Sequence, residues 1–144
     1  MEIKGIITSG MGKGTYFMSQ NFYIDQFFEK LHFKPFVGTL NIKIGPKEIA
    51  CIMDIPNEKF GIVYGEGKFG DVKFIKAVLN GDVKGAIVFP AKTKHTEDVI
   101  EFISNKNLRK YLNLKDGNQV SVKIDWKVSI PKNEICSKKF WTIE

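Results

Sequence analysis

The sequence predicts a mainly β fold: a closed or nearly closed barrel with a few short helices in its connections. Three observations predict it. Short apolar or alternating runs recur along the chain. Turn residues such as Gly45-Pro46, Asn80-Gly81 and Asp116-Gly117 punctuate those runs. Helical periodicity is confined to stretches between them. A strand-rich chain with helices only in crossovers does not make a doubly wound parallel sheet, and closure removes exposed strand edges.

In chain order, residues 3–8 form an apolar, β-branched strand that runs into a glycine-spaced loop, and residues 15–18 resume extended structure. Residues 23–31 read as an amphipathic helix. Ile24, Phe27, Phe28 and Leu31 lie at i, i+3, i+4 and i+7, and Asn21 or Ser19 serves as N-cap. Residues 40–44 alternate apolar and polar and stop at Gly45-Pro46. Residues 49–55 and 61–64 are apolar strand candidates. Residues 71–79 and 84–89 form a hairpin about Asn80-Gly81, closed by Pro90. Thr96 reads as the cap of a second helix, with Glu97 and Asp98 in its first turn and Val99, Ile100 and Ile103 turned inward. A third short helix spans residues 107–112. Residues 119–126 alternate strictly after the turn Lys115-Asp116-Gly117-Asn118.

Composition bounds the class. The chain has 144 residues, 43% hydrophobic and 26% charged, which suits one ordinary domain with its own core. The formal net charge is +6, which suits phosphate-bearing ligands and equally nucleic acid, although a solvated lysine surface accounts for most of it. Cys51 and Cys136 make neither a disulfide framework nor a zinc site. The N-terminal residues lack the apolar core of a signal peptide, and no apolar run is long enough to span a bilayer. The expectation is a soluble, cytoplasmic, monomeric protein without a membrane partner.

Two segments carry chemistry. Gly10, Gly12 and Gly14 allow positive φ and close backbone approach, so the N–H groups of residues 10–15 can form an anion nest. No G-x-x-x-x-G-K-[ST] P-loop is present. In Gly38-Thr39-Leu40-Asn41, Thr39 and Asn41 point to one face of a strand and can offer two neutral oxygens to a hard cation. A plain turn and ordinary turn hydrogen bonds are the structural alternatives.

The blocks SGMGKGTYF at 9–17, FKPFVGTLNIKI at 33–44, GDVKFIKAVLNG at 70–81, GAIVFPAKTKH at 85–95 and DVIEFISNKNLRKYLNLKDGNQVSV at 98–122 resemble the archaeal CTP-dependent riboflavin kinases. The resemblance implies a six-stranded cradle-loop barrel over residues 1–126. It implies phosphoryl transfer from CTP to riboflavin, giving FMN and CDP, with Mg²⁺ as the cofactor. Gly10, Met11, Gly12, Lys13, Gly14 and Thr15 would wrap the nucleotide. Lys106, Asn107, Leu108 and Arg109 would form a second nucleotide-binding segment. Thr39 and Asn41 would hold the metal, and Thr93 and Glu101 would contact the flavin.

Read as a helical residue, Glu101 lies opposite the Val99/Ile103 stripe. Glu101 and His95 are the candidate general bases, with flavin contact the favoured role for Glu101. Some relatives carry an N-terminal helix-turn-helix domain that is not expected here, and a proline common before N-L-R is replaced by Ser104-Asn105-Lys106. Residues 45–69 match poorly, and the apolar-containing tail at 127–144 has no recognised counterpart. The competing class is a non-catalytic barrel that binds flavin or nucleic acid. No aromatic–basic stripe favours nucleic acid.

Overall fold

Alternation along β1 (Glu2–Thr8) turns Ile3, Gly5 and Ile7 inward and Glu2, Lys4 and Ile6 outward. The computed structural model describes residues 1–9, 18–90, 98–124 and 126. Its strands are β1, β2 (Leu40–Lys43), β3 (Gly61–Val63), β4 (Val72–Leu79), β5 (Val83–Pro90), β6 (Val99–Ile103) and β7 (Gln119–Ile124). All the pairings are antiparallel, in the order β3-β4-β5-β6-β2-β1-β7, and a β4–β7 pairing closes the ring. The barrel therefore has six strands, as expected. β3 lies outside it, paired to the first half of β4, while β7 pairs to the second half.

Closure is built from local chemistry. Asn80 and Gly81 take positive φ in the β4–β5 turn. The Asn80 side-chain oxygen and backbone N–H then bond Ser121 of β7, at 2.9 and 2.8 Å. Gly5 lets β1 approach β2 closely, since a Cβ there would meet Ile42 Cγ2 at 2.5 Å and the Lys43 carbonyl at 2.6 Å.

Two apolar clusters result. Ile7, Leu40, Ile42, Ile75, Leu79, Ile87, Ile100, Phe102, Val122 and Ile124 fill the interior. Outside, helix α1 (Asn21–Leu31) lays Tyr23, Phe27 and Leu31 over Val72, Phe74, Ala86, Val88 and Ile103. The Phe27 and Phe74 rings meet edge-on at 5.6 Å. The sequence reading turned Phe28 inward, but Phe28 is 56% exposed, and Tyr23 takes the buried place at i−4 from Phe27. Neither Asn21 nor Ser19 caps this helix: Gln20 is the N-cap, without a side-chain bond.

Further expectations are corrected. The strand expected at residues 49–55 is mostly helix α2 (Pro46–Met53). Pro46 sits in its first turn, and Glu48 accepts a bond from Gly45 N–H at 3.1 Å, so the proline that reads as a strand stop is a helix start. The helix expected after Thr96 is strand β6 where it is described, with Ile100 and Phe102 inside the barrel and Ile103 beneath α1. Cover on both faces removes the strict alternation that marks a half-buried strand. Met18, the one described residue of the expected 15–18 strand, is helical. Cys51 is buried and disulfide-bonded. No helix among the described residues is long and apolar enough to cross a membrane.

Candidate functional site

Register sets the first part of the site. Thr8 of β1 lies opposite Asn41 of β2, Asn41 opposite Glu101 of β6, and Glu101 opposite Val88 of β5. Directly opposed residues share a face. The alternate residues Ile7, Leu40, Ile42, Ile100 and Phe102 fill the interior, so this row lies on the outer face. Asn41 and Glu101, separated by 60 positions in sequence, are thus side by side.

Thr39 immediately precedes β2, with the buried Leu40 between it and Asn41. Gly38 has φ 146°, a backbone conformation that side-chain-bearing residues rarely adopt. That requirement explains the glycine of the Gly-Thr-Leu-Asn segment. Phe36 N–H donates to the Ser104 carbonyl at 2.8 Å and pins this segment to the end of β6.

The second part is the Lys106–Arg109 segment. Ser104, 2% exposed, exchanges 3.1 Å bonds with the backbone N–H and carbonyl of Lys106 and shapes the turn. Asn107 is the N-cap of helix α3 (Leu108–Tyr111), its side-chain oxygen accepting from Lys110 N–H at 3.3 Å. Leu108 belongs to the barrel core, so only its backbone can meet a ligand. The Lys106 ammonium turns to Asn105 Oδ1 at 3.2 Å and to the Tyr111 ring, 4.9 Å from its centroid. Lys106 and Arg109 both lie on the pocket side. They line, with Phe36, Gly38, Thr39, Ser104 and Asn107, a pocket of about 150 Å³.

The structure therefore brings both sequence segments to one pocket, and sets Asn41 and Glu101 in one row. Gly10, Met11, Gly12, Lys13, Gly14, Thr15, Thr93 and His95 lie outside the described residues. Sequence reasoning missed Asp116. Its Oδ1 accepts from Arg109 Nη2 at 2.6 Å and its Oδ2 from the Ser9 hydroxyl at 2.5 Å. Only a turn signal, Asp116-Gly117, marked it in the sequence. The Ser9 hydrogen bond first, and the Arg109 bond next, hold the Asp116 carboxyl below its ordinary range.

The donor set also bears on a metal. Thr39 and Asn41 supply two neutral hard oxygens, which suit a hard divalent cation completed by phosphate oxygens and water. Among the described residues there is no group of three or more His, Cys, Asp or Glu able to hold a metal ion. A protein-only cage is thus not built from those residue types there, and the residues present fit a cation shared with phosphates.

A closed six-stranded antiparallel barrel, with two distant connecting segments converging on one small pocket, defines the class: a small β-barrel domain. Residues 7–124 match the sequence family labelled CTP-dep RFKase, described as a domain of unknown function, DUF120. The chain is 48% identical over 122 residues to a riboflavin kinase of Methanobrevibacter smithii, covering 85% of this chain and 98% of that protein. It is 50% identical over 117 residues to a riboflavin kinase of Methanothermobacter thermautotrophicus, covering 81% and 93%. A riboflavin kinase of Methanosphaera stadtmanae is 40% identical over 130 residues, covering 87% and 98%. The chain belongs to the CTP-dependent riboflavin kinase family.

Proposed function

We propose that this chain transfers the γ-phosphoryl group of CTP to the ribityl 5′-hydroxyl of riboflavin, giving FMN and CDP. One observation carries the reading beyond family membership. The Gly38–Leu40 and Lys106–Arg109 segments, far apart in sequence, line one pocket, and Asn41, next to Leu40, pairs with Glu101 across β2 and β6. That convergence supports a site in which nucleotide, metal and acceptor are held close together, as an in-line displacement needs.

In the reaction the ribityl oxygen forms a bond to the γ-phosphorus and the bond from that phosphorus to the bridging oxygen of CDP breaks. The hydroxyl proton passes late, in a loose transition state, to an oxygen of the transferred phosphoryl group and from there to solvent. Arg109 supplies fixed positive charge to phosphate oxygens, a term that gains strength where water is excluded. The glycine-spaced residues Gly10 to Thr15 and the backbone of Lys106, Asn107 and Leu108 bind the nucleotide. Thr39 and Asn41 hold Mg²⁺, which when bound offsets charge on the phosphates. Glu101 orients the flavin's ribityl chain together with Thr93, and accepts rather than abstracts. Residues 1–126 form the single catalytic domain, working as a monomer.

The test is direct. Purified protein is incubated with riboflavin, Mg²⁺ and each of the four nucleoside triphosphates, and products are separated by chromatography. FMN with matching CDP is expected from CTP. No FMN from any nucleotide across a series of divalent metals overturns the enzyme reading and favours a barrel that only binds flavin.

A further inference from the structure

Arg109 is held from outside its own helix. Its Nη2 donates to Asp116 Oδ1 at 2.6 Å and to the Thr8 carbonyl at 3.1 Å. Neither bond uses Nε or Nη1. Asp116 uses its second oxygen on the Ser9 hydroxyl, and Ser9 immediately precedes the glycine-spaced segment.

Local structure makes this meeting specific. Helix α3 ends in a Schellman motif: Leu114 N–H reaches the Arg109 carbonyl at 2.8 Å, with Asn113 at φ 54°. The chain reverses there and enters the turn at residues 115–118, where Gly117 has φ 94°. That turn docks on β1, with Gly117 N–H on the Ile7 carbonyl and Ile7 N–H on the Asn118 carbonyl, both at 2.8 Å. Asp116 is thus carried to the end of β1 by backbone bonds that do not involve its side chain. The carboxylate is 55% exposed and the guanidinium 39%, and exposed ion pairs contribute little net stability. Stability alone therefore gives no reason for so specific an arrangement.

We propose that Asp116 is a positioning residue for phosphoryl transfer. It holds one edge of the Arg109 guanidinium against β1 while Nε and Nη1 remain for nucleotide phosphate, and through Ser9 it ties that cation to the root of the glycine-spaced segment. The inference rests on the proposed nucleotide-binding role of Arg109. Arginine suits this division because its planar fork presents donors on separate edges. A lysine held by the same carboxylate would lack a second fixed edge.

The test measures steady-state kinetics and thermal melting of the full chain as wild type, D116A, D116N, S9A, R109A and the D116A/R109A double variant. D116A is expected to raise KM for CTP about tenfold, within the coupling range of contacting residues. KM for riboflavin and the melting temperature should stay close to wild type. In the R109A background, D116A should add nothing further. D116N keeps an acceptor oxygen of the same size and should fall between wild type and D116A. It also carries the test if D116A does not fold. S9A should give a smaller rise in KM for CTP.

Equal effects of D116A with and without Arg109 overturn the proposal, as does a parallel loss in both KM values and melting temperature. An active wild type with unchanged CTP kinetics in D116A and D116N overturns the tether and leaves the kinase reading standing. If wild type binds CTP by calorimetry without turnover, the same comparisons are read as dissociation constants. A wild type that neither turns over nor binds any of the four nucleotides overturns both.

Discussion

Two concavities on this barrel differ in a way that runs against their size. The larger, about 940 Å³, is lined by residues including Leu31, Phe33, Lys76, Lys84, Lys123 and Trp126. Its three strand lysines cluster because Val78 of β4 lies opposite both Lys84 and Lys123, with Lys76 two residues along the same face. The smaller, about 150 Å³, is lined by the Gly38–Leu40 and Lys106–Arg109 segments. A large pocket is the usual first guess for a binding site. Here the small one holds the positive-φ glycine, the capped helix start, the buried Ser104 bridge and the tethered arginine. The comparison teaches that locally constrained segments can converge on the smaller of two concavities, and the proposed site is chosen on that convergence rather than on volume. Solvated lysines on adjacent strands need no ligand to explain them.

The comparison breaks most sharply on turnover. Thr39→Ala and Asn41→Ala are each expected to lower kcat by about 10²–10³-fold, the scale of losing one charge-stabilising group, with riboflavin affinity retained. Replacing Lys76, Lys84 and Lys123 together by Ala should leave kcat/KM within about twofold, as suits charges remote from the chemistry. Reversal of that order in a kinetic assay at limiting Mg²⁺ moves the site to the larger cavity.

Gly38→Ala sharpens the comparison next. A side chain at φ 146° costs roughly 1–3 kcal/mol of backbone strain, expected as a lowered melting temperature together with a raised KM for CTP. An Ala variant matching wild type in both measurements removes the constraint argued for the small pocket.

Glu101→Gln tests a smaller effect. The amide retains an acceptor oxygen, so a residue that only contacts flavin should keep most turnover. A general base would instead lose about 10²–10⁴-fold. Normal flavin affinity with turnover reduced on that scale reassigns Glu101 as the base.

The smallest expected effect is one of pH. The Asp116 carboxyl is held below its ordinary value of 3.8, by Ser9 first and Arg109 next. A depressed carboxylate contributes fully above its unperturbed value and loses that contribution as pH falls through the lowered one. The ratio of KM for CTP between D116A and wild type should therefore be flat from roughly pH 5 to 8. A ratio that collapses near neutrality places the titrating group elsewhere.

Much of the fold was legible in the residues themselves. β1, β4, β5 and β7 show their period of two or their apolar runs, with Asn80-Gly81 and Asp116-Gly117 as stops, because turn chemistry and side-chain alternation are local properties. In the Gly-Thr-Leu-Asn segment the glycine was legible for the same reason: Gly38 is required by its own φ. Residues 99–103 were not legible. Thr96, Glu97 and Asp98 imitate a helix start, and cover by the barrel interior and α1 erases the alternation of β6. With that strand read as a helix, Glu101 had no defined neighbour.

Only the tertiary structure put Glu101 beside Asn41, because cross-strand register is fixed by barrel closure rather than by either strand's sequence. It alone brought Asp116 to Arg109 and Ser9, through a helix reversal and a turn docked on β1. Local sequence determines which residues can turn, pair and donate. Which of them meet is decided by long-range backbone pairing, which no short window of sequence contains.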